Sequence, residues 1–108
     1  MEYVEIARAE SERGEVVLRE RRDPDEPTAA PVLELRVNGV FVMDTHETST
    51  ERQLATAALA QVAHPRSVII GGLGLGFTLH EVLADHAVER VVVVEIEDAL
   101  VRLSLIHI

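Results

Sequence analysis

The stretch that decides the fold of this chain is Val-Ile-Ile-Gly-Gly-Leu-Gly-Leu-Gly, residues 68–76. Its β-branched start is typical of a buried strand, and residues 77–83 continue with the apolar pattern of a helix. The glycines in between allow a sharp strand-to-helix turn and let backbone approach a ligand where a Cβ atom would collide. The first N–H groups of the helix are then free to bind that ligand. The stretch therefore predicts a ligand site at the end of a parallel strand.

A second apolar run, residues 91–94, ends in the acid Glu95. Glu95 follows the glycines by about 20 residues, which is where nucleotide-binding α/β folds place the carboxylate that holds ribose hydroxyls. The two motifs together predict a site for a ligand that carries a nucleoside. A glycine-rich turn that binds nothing is the alternative, because a single glycine motif has low specificity.

The spacing of the glycines favours one class of nucleoside ligand. A dinucleotide fingerprint needs G-x-G-x-x-G or a closing alanine, and in every register a bulky residue occupies a required position. The spacing instead fits the G-x-G-x-G arrangement of enzymes that use S-adenosylmethionine. This disfavours a nicotinamide-dependent oxidoreductase. We predict that Gly71, Gly72, Gly74, Gly76 and Glu95 bind the ligand, and we predict no metal site.

Composition restricts the function classes further. The net charge of −9 disfavours nucleic acid as a partner, because phosphates would be repelled. All ten basic residues are arginine, which excludes a Walker-type phosphate loop and a Schiff-base lysine. The absence of cysteine excludes disulfides and thiolate metal sites. Neither a signal-peptide pattern nor an apolar run of about 18 residues is present, so we predict a cytoplasmic protein that contacts no membrane.

The first part of the chain, residues 1–48, has the pattern of a small antiparallel β-domain. Leu33, Leu35 and Val37 alternate with polar residues, which predicts a strand with one buried face. The dipeptide Asn38-Gly39 follows and predicts a two-residue hairpin turn, because both positions of that turn need positive φ. The other predicted strands are residues 3–6, 15–19 and 40–43, and residues 21–31 are predicted to form a surface loop.

Residues 49–102 have the order helix, strand, glycine turn, helix, strand. The first helix has Leu54, Ala57 and Ala58 along one side and is predicted to end at His64-Pro65, where proline prevents continuation. The order predicts a parallel βαβ unit. The fold class is thus α/β: a small N-terminal antiparallel β-domain, then a βαβ unit.

Several of these motifs together resemble the spermidine synthases, which are polyamine aminopropyltransferases. They are the Asn-Gly-Val hairpin, the helix that ends in His-Pro, Ser-Val-Ile-Ile-Gly-Gly at residues 67–72 and Val-Val-Val-Glu-Ile-Glu at residues 92–97. The resemblance covers about residues 32–101. It implies that the βαβ unit is the first βαβ unit of a truncated, Rossmann-like S-adenosylmethionine-dependent methyltransferase fold. The loop differs from the family pattern, because residues 73–75 read Leu-Gly-Leu where the family has a loop acid.

The resemblance implies a function in polyamine biosynthesis. The donor would be decarboxylated S-adenosylmethionine or S-adenosylmethionine, with its amino-acid end along residues 71–76 and its ribose on Glu95. The acceptor would be a cationic amine. An S-adenosylmethionine-dependent methyltransferase and a non-catalytic spermidine synthase-like protein are alternatives, and the intact protein could form a homo-oligomer.

The last residues, 103–108, read Leu-Ser-Leu-Ile-His-Ile and fit no expected helix after Arg102. They are similar to a translated transposon adapter of the kind used in DNA library preparation, and we interpret them as a scar. On this interpretation the chain is a fragment of a longer transferase. The family's catalytic aspartates would lie beyond it, so no catalytic residue is assigned and the fragment is expected to be inactive by itself.

Overall fold

The computed structural model describes residues 1–105 and forms two compact units, one from Met1 to Glu47 and one that begins at Thr48. The first unit contains four strands and the second contains three helices and two strands. Their bounds are β1 Glu2–Ser11, β2 Gly14–Arg22, β3 Val32–Val37, β4 Val40–Asp44, α1 Ser49–Ala60, β5 Ser67–Gly71, α2 Phe77–Leu83, β6 Arg90–Val94 and α3 Asp98–Leu105.

The first unit is a four-stranded antiparallel sheet in the order β1-β2-β3-β4. The predicted hairpin between β3 and β4 is present, with φ of 51° at Asn38 and 75° at Gly39. Asn38 also supports the turn between β1 and β2, because its Oδ1 accepts the N–H of Glu15 at 2.8 Å. Gly14 leaves the space for this amide: a Cβ there would lie 1.9 Å from Asn38 Oδ1.

The two faces of this sheet differ in chemistry. One face is apolar and carries the buried side chains of Val16, Leu18, Leu35 and Met43, as the alternation in β3 predicted. The alternation predicted a single buried face, but Glu34, on the opposite face of β3, is only 2% exposed. A carboxylate is buried at this depth only when charged groups pair with it, and arginines of β2 and of β3 itself do so here.

The second unit places helices on a two-stranded parallel sheet of β5 and β6. Its core consists of Ala55 from α1, Ile70 from β5 and Val82 from α2. The expectation that Leu54, Ala57 and Ala58 form the inner side of α1 is wrong, since Ala55 is 3% exposed and Leu54 is 63% exposed. Polar contacts between the first turns of α1 and α2 set this rotation of α1.

The helix ends also differ from expectation. Helix α1 ends at Ala60, ahead of the proline, where the N–H of its C-cap Gln61 donates to the carbonyl of Ala58 and the N–H of Val62 donates to the carbonyl of Leu59. Helix α3 runs through Leu105 and so includes the start of the segment interpreted as a scar, because leucine is a good helix former. Residues 106–108 of that segment lie outside the described residues.

The predicted fold class, an antiparallel β-unit followed by a βαβ unit, is confirmed. Within residues 1–105, no helix has the length and apolar character needed to cross a membrane.

Candidate functional site at the glycine turn

The glycine turn connects the end of β5 to α2 through three residues with positive φ. These are Gly72 at 86°, Gly74 at 55° and Gly76 at 90°, which is the left-handed N-cap of α2. The Gly72 N–H donates to the carbonyl of Val94 at 2.8 Å and extends the parallel ladder by one bond. The Gly76 N–H donates to the carbonyl of Leu73 at 3.0 Å. The turn therefore needs glycine for its backbone conformation, whether or not a ligand binds.

Gly71 is different from the other glycines of the turn. It has no positive φ, and a Cβ at this position would meet no atom within 4 Å. A side chain could therefore stand there without strain in the protein itself. Neither positive φ nor close packing within the described residues therefore requires glycine at this position.

Leu73 and Leu75 anchor the turn to the interior. Their exposed fractions are only 7% and 5%, although both lie in the loop itself. In the sequence, these leucines stand out only because the family loop has an acid in this segment. In the structure, burial of two leucine side chains holds the backbone of the turn in place, which contributes roughly 1.5–3 kcal/mol for each side chain.

Glu95 lies directly after β6, beside the glycine turn. Its Oε1 accepts the N–H of Leu73 at 2.8 Å, and its Oε2 accepts the N–H of Glu97 at 2.9 Å. Both oxygens are thus oriented by backbone groups, and each has a further lone pair for another donor. The side chain is half-buried, so it is ordered yet still accessible.

The structure brings all five predicted site residues to one edge of the sheet. Gly71 ends β5 and pairs with Val94, the residue before Glu95, and the other three glycines follow Gly71 along the chain. The carboxyl ends of parallel strands are where open α/β sheets bind ligands. The site offers backbone groups and a pair of carboxylate acceptors to a ligand.

A polar cluster between the first turns of α1 and α2 was missed by the sequence patterns. Arg52 Nη1 pairs with Glu81 Oε1 at 2.6 Å, and the Arg52 guanidinium lies 5.1 Å from the centroid of the Phe77 ring. Thr78 Oγ1 donates to the carbonyl of Glu51 at 3.0 Å. Phe77 and Thr78 open α2 directly after Gly76, so this cluster lies beside the end of the glycine turn.

A second polar cluster lies on one face of the antiparallel sheet and was also missed. Glu34 Oε1 accepts from Arg19 Nε at 2.9 Å and from Arg36 Nη1 at 3.0 Å, and its Oε2 accepts from Arg21 Nη1 at 2.9 Å. Arg21 Nη2 also donates to Asp44 Oδ2 at 3.2 Å. Arg19 and Arg21 are two residues apart in β2 and therefore share a face of the strand, which was the signal that could have revealed this cluster.

The pKa values of both acids in this cluster are lowered. Burial acts to raise the pKa of Glu34, but hydrogen bonds from Arg36 and Arg19 outweigh it and hold that pKa below its ordinary value. The pKa of Asp44 is also below its ordinary value, because the Glu47 N–H and Arg21 outweigh the effect of burial. The acids and arginines satisfy one another, so the cluster stabilises the sheet.

Comparison with known proteins identifies the family. The sequence-family model of the glycosyltransferase Maf N-terminal domain matches residues 5–108 of this chain. The chain belongs to this family. None of the sequence motifs had indicated this family.

Relatives with known activities match shorter parts of the chain. It is 41% identical over 46 residues to putrescine N-methyltransferase 2 of Nicotiana attenuata and to putrescine N-methyltransferase 1 of Nicotiana tabacum. The match covers 43% of this chain and 12% of each methyltransferase.

Solved structures share the fold over nearly the whole chain. Spermidine synthase from Thermotoga maritima matches with a TM-score of 0.78 at 22% identity, over 95% of this chain and 34% of the synthase. A spermidine synthase in complex with the transition-state analogue AdoDATO matches with a TM-score of 0.77, over 33% of its length. The predicted resemblance to spermidine synthases is thus confirmed for the fold, and the chain spans about a third of those structures.

Proposed function

We propose that this chain supplies the donor-binding part of a group transferase and that the glycine turn and Glu95 hold the adenosyl part of S-adenosylmethionine or its decarboxylated form. The observation that carries the proposal is the Glu95 carboxylate. Both of its oxygens are fixed by backbone N–H groups, of Leu73 and Glu97, at the edge of a turn whose first glycine is open to a ligand.

The geometry of Glu95 suits a ribose. Two adjacent hydroxyls can donate to the two oxygens of one carboxylate, and the preset orientation lowers the entropy that binding would otherwise cost. Because Glu95 Oε1 accepts the Leu73 N–H, a ribose bound to this carboxylate would lie next to the glycine turn. The rest of the ligand then extends along the backbone at Gly71 and Gly72, where a Cβ atom would have open space around it.

Charge favours a sulfonium donor over a pyrophosphate ligand. Glu95 and Glu97 follow β6 closely and give this edge of the sheet a negative charge, whereas Asp98 pairs with Arg102 at 3.6 Å. A pyrophosphate would be repelled, whereas a ligand with a sulfonium or an ammonium group would be attracted. The chemistry of the site therefore supports an adenosyl-sulfonium compound.

In the intact protein the reaction would be transfer of an aminopropyl or methyl group to an amine. The amine nitrogen would attack the carbon bound to the sulfonium, the carbon–sulfur bond would break, and the thioether would leave with the bonding pair. This chain would contribute position and orientation of the donor. Likeness to the putrescine N-methyltransferases and to the spermidine synthase fold supports this reaction class.

Glycosyl transfer is a second candidate, and the family match over residues 5–108 favours it. A nucleoside-diphosphate sugar also has a ribose that Glu95 could hold. The acidic segment after β6 would repel the diphosphate of such a ligand. The two candidate ligands therefore differ in charge, since the sugar nucleotide is anionic and the sulfonium compound carries a positive charge beside its adenosine.

Calorimetric titration of the 108-residue chain distinguishes the two. We expect binding of S-adenosylmethionine or its decarboxylated form and none of UDP-glucose. Glu95→Gln should weaken that binding about tenfold or more, because it replaces one charged acceptor by an amide. Glu89→Gln changes the charge equally at an exposed position and is the control. Binding of UDP-glucose alone would favour glycosyl transfer, and binding of neither ligand would favour a non-catalytic role.

A further inference from the structure

Glu51, in the first turn of α1, has a buried carboxylate oxygen that no group satisfies. Within residues 1–105, its Oε2 is shielded from solvent and has no hydrogen-bond partner. Buried polar atoms of proteins nearly always have a partner, and leaving one unpaired costs free energy. Such an atom therefore calls for an explanation.

Helix capping does not account for Glu51. The sequence Thr48-Ser-Thr-Glu51 has the pattern of a capping box, in which the glutamate would accept an N–H at the start of the helix. Thr48 makes no side-chain cap bond, however, and its Oγ1 accepts from Arg52 Nε at 3.0 Å instead. Arg52 is the adjacent cation, and its Nη1 is directed to Glu81 at 2.6 Å. The Glu51 oxygen is left without a donor in spite of these neighbours.

The position of Glu51 connects it to the glycine turn. Its main-chain carbonyl oxygen accepts a hydrogen bond from Thr78 Oγ1 at 3.0 Å, and Thr78 lies in the first turn of α2, shortly after the N-cap Gly76. The Arg52 guanidinium lies over the Phe77 ring on the same helix start. The first turn of α1 is thus fixed beside the end of the turn at which the proposed ligand binds.

We propose that the Glu51 carboxylate binds an ammonium group of the ligand at the glycine turn. This inference rests on the proposed function and adds the group that recognises the charged end of the substrate. An ammonium carries three N–H donors and a positive charge, which is what an unpaired carboxylate oxygen lacks. The ammonium belongs either to the adenosyl donor itself or to a diamine acceptor.

Calorimetry of Glu51→Gln in the full chain separates these sources. Decarboxylated S-adenosylmethionine, 5′-methylthioadenosine, which lacks the ammonium, and putrescine are the three probes. We expect Glu51→Gln to weaken the first or the third by tenfold or more and to leave methylthioadenosine unchanged. Loss with the adenosyl donor identifies the donor's ammonium, and loss with putrescine identifies the acceptor's. Glu89→Gln should behave as the wild type with all three.

A measurement without ligand keeps the proposal separate from the proposed function. Because the buried Oε2 has no hydrogen-bond donor in the free protein, Glu51→Gln should raise the urea midpoint of unfolding, while Glu89→Gln should not. A lowered midpoint would show that the fold itself uses this carboxylate and would overturn the proposal, as would unchanged binding of every probe by Glu51→Gln. Failure of the proposed function would be seen differently, as absence of adenosyl binding by the wild type, and the inference would fall with it.

Discussion

At the scale of single residues, the glycines of the turn are of two kinds, which the sequence motif does not distinguish. Gly72, Gly74 and Gly76 are needed by the backbone, because each has positive φ. Gly71 is needed neither for conformation nor for packing. The distinction could not be made from spacing alone, since φ at a given glycine depends on how the turn closes.

Alanine substitutions test this separation. Gly71→Ala should change the free energy of unfolding by less than about 0.5 kcal/mol, because nothing lies within 4 Å of the new methyl group. Gly72→Ala should destabilise the protein by about 1–2 kcal/mol, because its φ of 86° is strained for alanine. Urea unfolding measures both changes.

The same Gly71→Ala protein should bind the adenosyl donor at least about tenfold more weakly in calorimetry, because its methyl group occupies space that the ligand needs. Unchanged affinity would mean that the ligand does not approach the backbone at this position.

At the scale of elements, the antiparallel sheet is held on one face by packed apolar side chains and on the other by ion pairs around Glu34 and Asp44. The pKa values of both acids are lowered in the folded protein. Their contribution to stability is therefore complete above the unfolded pKa values, about 4, and is lost as the pH falls through the lower, folded values.

We expect the sheet to be less stable at pH 3 than at pH 6. Between pH 6 and pH 8, the contribution of these two acids to the free energy of unfolding should stay nearly constant. Tyr3 is the single tyrosine of the chain and lies in β1, with the Arg19 guanidinium 4.0 Å from its ring centroid, so its fluorescence reports on this sheet. Urea unfolding followed by this signal at each pH is the measurement.

Glu34→Gln should destabilise the sheet at pH 7 by about 2 kcal/mol and reduce its sensitivity to acid, because arginines lose a charged acceptor. Glu12→Gln, at an exposed turn position, should do neither. A Glu34→Gln protein with unchanged acid sensitivity would show that these ion pairs do not set the stability of the sheet.

The elements themselves were largely predictable, and the reasons are local. The Asn38-Gly39 turn, strands β5 and β6 and the start of α2 follow from turn chemistry and from runs of apolar residues. The rotation of α1 and the burial of Glu34 were not predictable. Both depend on contacts between residues far apart in sequence, such as Arg52 with Glu81, which no periodicity records.

At the scale of the whole molecule, the βαβ unit covers its sheet on one face only. Ile70 and its neighbours face the helices, whereas Ile69 and Val94 on the other face are 76% and 61% exposed. Parallel sheets normally have both faces covered. The exposed apolar face of β5 and β6 is therefore a surface at which copies of this chain can associate.

We expect sedimentation to show concentration-dependent self-association of the chain. The double substitution Ile69→Thr and Val94→Thr should shift it toward the monomer, because it removes exposed apolar side chains from this face. Val40→Thr removes an equally exposed apolar side chain from the other unit and is the control. Equal association of all three proteins would mean that this face is not where copies meet.

The central claim, that the glycine turn and Glu95 bind an adenosyl-sulfonium ligand, is tested most directly by NMR titration of the ¹⁵N-labelled chain with decarboxylated S-adenosylmethionine and with S-adenosylmethionine. The Leu73 and Glu97 amides donate to the Glu95 carboxylate and report on it directly. We expect saturable shifts of these two amides and of Gly71 and Gly72, and their loss in Glu95→Gln. Titration with no shift at these amides, or with shifts confined to residues of the antiparallel sheet, would contradict the account.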